Sequence, residues 1–176
     1  MAEIKNDLSV KYSLATRIVH WLTAIGIFVI IPIGLKMSGM EISADKLALQ
    51  KTHNIIGLVL LLLTLFRVYL YFKHERPANL KTGSKWNDKL IIFIHNSFYF
   101  VIIIMAISGL VTNATTGIWE AVQANDMSLY PAIIDTTPAQ VHRFLYLVLA
   151  ILILMHIGGV LKHWITKKEN TLKRIF

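Results

Sequence analysis

Six of the seven histidines in this chain, His20, His53, His95, His142, His156 and His163, fall inside or at the ends of long apolar stretches, while His74 sits between Lys73 and Glu75 as a solvated loop residue would. Ionisable side chains at membrane depth are costly and usually mark function. His142 and His156 are 14 residues apart, which on a helix is about 21 Å along the axis and within about 40° of one face. One helix thus offers two imidazoles at two depths. If successive stretches alternate in direction, His20 shares the depth of His156, and His53 shares that of His142. Two imidazoles facing one another with no carboxylate beside them suit axial ligation of a haem iron. Zinc, which asks for four ligands, suits them poorly. The alternative is a set of hydrogen-bonded structural histidines, and the matching of four of them in two layers weighs against it.

The elements that must carry these residues follow from charge spacing. Of the 176 residues, 55% are apolar and 16% are charged, against roughly a quarter charged in soluble domains. No Asp, Glu, Lys or Arg occurs in residues 18–35, 52–66, 90–119 or 144–161. A helix needs about 20 mainly apolar residues to cross the hydrocarbon core. The expected fold is therefore an all-α membrane protein, a bundle of four transmembrane helices over residues 17–36, 52–72, 90–112 and 142–164, forming one domain, 1–176. The second span reaches that length only by continuing through Arg67. Residues 113–140 form the longest connection, in which Pro131 and Pro138 argue against one continuous helix. Its Trp119, Met127, Leu129 and Tyr130 are candidates for the membrane interface.

There is no Cys, so disulfides, thiolate metal sites, iron–sulfur clusters and Cys-attached haem are excluded. Met37 and Met40 lack a matching partner for Met ligation. The polar start (Glu3, Lys5, Asn6, Asp7, Lys11) and the absence of a small-residue cleavage site after the first span predict that this helix stays in the mature protein. A net charge of +8 would point a soluble protein toward nucleic acid; here its distribution excludes that reading. With four spans, only Lys36, Lys46, Lys51 and Arg143 of the 18 basic residues fall on one side, while acidic residues divide evenly, leaving +9 on the side of the termini and −1 opposite. The positive-inside rule then puts both termini in the cytoplasm.

Ala24, Gly57 and Gly159, three or four residues after His20, His53 and His156, could let a flat ring approach, or could equally serve close helix packing.

At this point the chain resembles the bacterial di-haem cytochromes b of the cytochrome b-561 type, related to the cytochrome b subunits of nickel–iron hydrogenases and formate dehydrogenases. The resemblance rests on His20-Trp21, His53 with Gly57, His95, and His142, His156 and His163, and covers nearly the whole chain. The terminal Glu169-Asn170-Thr171-Leu172 also looks like the end of the short members, among them superoxide oxidase. It implies a four-helix bundle in the bacterial inner membrane, one b haem between His20 and His156, another between His53 and His142, and electron exchange with the quinone pool. It leaves open whether the chain is an enzyme oxidising superoxide, or a membrane anchor taking electrons from a dehydrogenase or hydrogenase. A His-lined metal or proton transporter is the rival from another class.

Arg67, 14 residues after His53, falls at the depth of the inner haem. It could pair with a propionate or snorkel to the interface, and Arg17 and Arg143 carry the same two readings. Lys51 reads better as a loop lysine. His95 and His163 remain once four ligands are assigned, and both lie toward the cytoplasm. Depth and resemblance together suggest that they handle protons at a quinone.

Overall fold

The computed structural model describes residues 6–176; Glu3 and Lys5 of the N-terminal charged group lie outside the described residues. Five helices follow in order: α1 Leu14–Ser38, α2 Ala44–Lys73, α3 Lys85–Thr116, α4 Ile118–Ala124 and α5 Thr137–Lys167. All but α4 are long and apolar enough to cross a membrane.

Each long helix begins where a side chain can satisfy its first free N–H groups. Ser13, Ser43, Ser84 and Thr136 accept from Thr16, Lys46, Asn87 and Ala139 respectively. Asp45 and Asp88 add negative charge to the first turns of α2 and α3. These caps start α2 eight residues, and α3 and α5 five residues, before the spans expected from charge spacing. The physical reason is that a capped amphipathic turn can extend a helix beyond the bilayer, which apolar stretches alone do not reveal. Pro32 lies inside α1 without ending it.

The long helices pack as two close pairs, α1 with α2 and α3 with α5, joined through α2 and α3; α1 and α5 are not a closely packed pair. The central core consists of Ile27, Ile30, Leu60, Ile94, Val101, Ile102, Leu149 and Leu152. Thr23, Thr64 and Thr112 are buried among the spans and donate to the carbonyls of Val19, Leu60 and Ser108 at 2.7–2.8 Å. Their hydroxyls therefore need no partner from another helix. Large apolar side chains such as Phe28, Phe66, Phe93, Phe100 and Phe144 are exposed on the outside of the bundle, as lipid contact requires.

The long connection between α3 and α5 folds back as α4 and a short 3-10 turn, Met127–Leu129. Gly117 and Asn125, at φ +82° and +52°, take the left-handed conformations that bound α4. Trp119, Met127 and Leu129 are exposed, but Tyr130 corrects the expectation of an interfacial ring. It packs in a second core with Leu47, Ile118, Ala121 and Val122, and its hydroxyl donates to Gln50 Oε1 at 3.0 Å. Gln50 in turn donates to Asn54 Oδ1, as does Asn113. The early start of α2 supplies the surface on which this cap rests.

Candidate functional site

The bundle brings histidines from different helices face to face at two places. His20 on α1 and His156 on α5 have ring centroids 6.5 Å apart, with planes at 63°. His53 on α2 and His142 on α5 have centroids 6.1 Å apart, with planes at 64°. Both pairs bridge helices whose backbones do not pack closely on each other. A metal–imidazole bond of about 2 Å, with about 1.2 Å more to the ring centre, places two imidazoles on opposite sides of one ion with centroids about 6.3 Å apart. The observed separations fit that spacing.

Tautomer and surroundings support the same reading. His142 Nδ1–H donates to the Met105 carbonyl at 2.8 Å, leaving Nε2 with its lone pair. His20 and His53 have buried Nδ1 atoms with no hydrogen-bond partner among the described residues, an arrangement that a purely structural histidine would avoid. Gly109 lies against His142 and Gly34 against His53: a Cβ there would come within 3.1 Å and 3.2 Å of the respective Cε1 atoms. These are the glycines that give the rings room. A Cβ added at Gly57 would meet Ile30 at an ordinary 3.6 Å, and one at Gly159 would meet nothing within 4 Å, so the glycines that seat the imidazoles themselves are those across the helix interfaces. Among the described residues no cluster of three or more His, Cys, Asp or Glu forms a closed metal site. Two pairs of neutral nitrogen donors fit a macrocycle that brings its own four equatorial ligands.

The remaining site candidates separate. Arg67 lies within electrostatic reach of His20, His95 and His156, with its guanidinium carbon 5.5 Å from the Tyr99 ring centre. The Nε atoms of Arg67 and Arg17 are buried and unpartnered among the described residues. Arg143, by contrast, is exposed near the N-terminal end of α5, where it donates to the Ile134 carbonyl and pairs with Asp135 at 3.5 Å. Lys51 is also exposed.

His95 sets its ring edge-on to His156 at 5.1 Å and donates through Nδ1 to Ile91 at 2.7 Å. His163 is buried and bonds Glu169 Oε2 through Nε2 at 2.8 Å. The two histidines therefore stand against different partners. Glu169, assigned no role from sequence, also accepts from the Asn6 side chain at 2.7 Å and from its backbone N–H. Partial burial raises its carboxyl, but the hydrogen bonds from Asn6 and His163 outweigh this and hold it below the usual carboxylate range. The same C-terminal segment reaches α1: Trp21 donates to the Ile175 carbonyl at 3.1 Å and stacks at a tilt on Phe176, beside His20.

A family model described as prokaryotic cytochrome b561 matches residues 11–176. Comparison with curated proteins and with solved structures finds no match. The family match takes in all four spans, both facing histidine pairs and the tail that packs on Trp21. On that match the chain belongs to the prokaryotic cytochrome b561 family.

Proposed function

We propose that the chain holds two b haems, one between His20 and His156 and one between His53 and His142, and carries electrons across the membrane to or from a quinone. Its family gives the coarser part, a transmembrane haem b electron-transfer protein of the bacterial membrane. The observation that carries the finer reading is the recurrence of one geometry, centroids 6.5 and 6.1 Å apart, at two depths of a single bundle. Bound there, each haem supplies a one-electron iron couple. The protein fixes the imidazoles and excludes water, and near the inner pair it supplies the guanidinium groups of Arg67 and Arg17 for propionates. Arg143 has settled on Asp135, so the outer pair has no comparable buried cation from that position.

Quinone reduction takes up two protons with two electrons. His163 with Glu169, and His95 beside His156, place proton-bearing groups at the end of the bundle that carries the termini. The charge asymmetry of the connections supports a cytoplasmic position for that end. A reporter fused after Phe176 should accordingly behave as cytoplasmic, and periplasmic activity there would reverse the orientation while leaving the histidine pairs together.

The test of the function is a reduced-minus-oxidised visible spectrum of the purified chain with haem counted per polypeptide. Two haems are expected. One haem, or none, would reject the two-centre reading.

The close approach at Gly109 adds a local test. In Gly109→Val the new Cβ would stand 3.1 Å from His142 Cε1, and its methyls must enter the space that ring occupies. The expected result is loss of most of the outer haem, about half the total, with the inner one kept. Quantifying haem in the variant checks this; full content would show that the α3–α5 contact can shift without cost to the site.

A further inference from the structure

Away from both histidine pairs, the N-terminal segment, the α2–α3 loop and the C-terminal tail enclose a cavity of about 240 Å³, lined by Asn6, Asp7, Ala78, Asn79, Lys81 and Arg174 among others. Arg174 is the unusual member. Only 5% of it is exposed, yet no carboxylate lies within ion-pair distance among the described residues. One terminal nitrogen donates to the Ala78 carbonyl at 2.6 Å, and Nε is buried without a partner among the described residues. A guanidinium carries five donors in a planar fork. Burying that charge is unfavourable unless an anion meets it.

The position is built rather than frayed. Tyr12 N–H donates to the Arg174 carbonyl at 3.0 Å, and Arg174 ends a 3-10 turn, Thr171–Arg174. Across the cavity, Asn6 fixes Lys81 by accepting its N–H at 2.8 Å and donating to its carbonyl at 3.0 Å. Lys81 itself is exposed at the rim. The one acidic lining residue, Asp7, accepts from the Ser9 N–H and hydroxyl at 2.9 and 2.6 Å.

A second hollow shares Ala78 and Asn79 with the first and is lined further by Tyr71, Phe72, His74, Arg76 and the acidic Glu75. Phe72, at the end of the second span, is 81% exposed, and the Arg76 guanidinium lies 3.6 Å over the Tyr71 ring. The pocket holding Arg174 and Lys81 thus adjoins an exposed aromatic ring, Phe72, at the end of the second span. This is the combination that recognises a phosphate attached to acyl chains.

We propose that Arg174, with Lys81 at the rim, binds the headgroup phosphate of an anionic lipid, with Phe72 beside its acyl chain. None of the proposed haem or quinone residues takes part, so the proposal stands or falls separately from that reading. The guanidinium fork supplies paired donors to the phosphate oxygens, Lys81 adds a point charge, and Asp7 opposes both.

Native mass spectrometry of the detergent-purified holoprotein, with phosphatidylglycerol or phosphatidylcholine added, tests this. Phosphatidylglycerol should be retained and phosphatidylcholine should not. Arg174→Gln should reduce retention about tenfold or more, the scale of a lost charge-assisted hydrogen bond. Lys81→Gln should reduce it less, and Asp7→Asn should raise it. If Arg174→Gln does not fold, as judged by its circular dichroism melt, the opposite signs for Lys81→Gln and Asp7→Asn still decide. In a parallel arm with inorganic phosphate, displacement of phosphatidylglycerol supports a shared phosphate site. Binding of inorganic phosphate alone, with no lipid retained, would overturn the lipid assignment. So would equal retention of the two lipids, or retention unchanged in every folded variant.

Discussion

Replacing His156 by alanine is expected to leave the protein with about half its haem, the outer haem retained and the inner one lost. His156 supplies one side of a pair whose other side, His20, stands on a helix that α5 does not pack closely. His20→Ala should give the same result from the opposite side. His53→Ala and His142→Ala should remove the outer haem instead, because His142 is already oriented by its bond to Met105. Pyridine haemochrome assays on the four variants, with the reduced spectrum to tell the centres apart, measure this. Two haems in every variant would sink the assignment. His95 adds a discriminating control, since its ring also touches His156. If His95→Ala loses the inner haem while His20→Ala keeps it, the partner of His156 is His95.

How much of this was legible beforehand depends on the kind of constraint. Depth follows from apolar length and alternating direction, so the partnering of His20 with His156 and of His53 with His142 could be read from position along the chain alone. Rotation about each helix axis could not, because it is set by which neighbour each helix packs against. That is why Gly34 and Gly109, which meet His53 and His142 across helix interfaces, carry no signal in the sequence. Tyr130 was missed for a related reason. Its pattern suits a membrane interface, but the extra turns of α2 give it Leu47 and Gln50 to pack and bond against. Glu169 carried no sequence signal as a partner of His163; the left-handed turn at Lys168, just past the end of α5, creates the contact. Arg143, adjacent to His142 in sequence, was drawn instead to Asp135 in the loop before α5.

The second large effect concerns the two histidines outside the proposed ligand pairs, His95 and His163. In His163→Ala the haem content should stay near normal, while electron exchange between the inner haem and a short-chain quinone slows by about 10²-fold, the lower end of what a positioned acid–base group contributes. His163 is the stronger of the two candidates because it is buried and bonded at 2.8 Å to a carboxylate, which would balance the positive charge of an imidazolium formed there. His95→Ala should have the smaller effect, since its Nδ1 is committed to Ile91 and its ring stands edge-on to His156. Stopped-flow oxidation of the reduced protein by quinone measures the step. The tail complicates a simple comparison, because losing His163 also frees Glu169 and loosens the contacts of Asn6. Glu169→Gln separates these effects. It keeps a hydrogen-bonding side chain of the same size and removes the carboxylate, so a proton-handling pair predicts slow exchange with the tail still docked. In a background with Trp86, Trp119 and Trp164 replaced by Phe, Trp21 fluorescence reports that docking, because the indole bonds Ile175 and contacts Phe176. Full-rate exchange in His163→Ala and Glu169→Gln, with Trp21 emission unchanged, would assign the pair to holding the tail alone. Proton delivery to quinone would then have to be sought around His95 and Arg67.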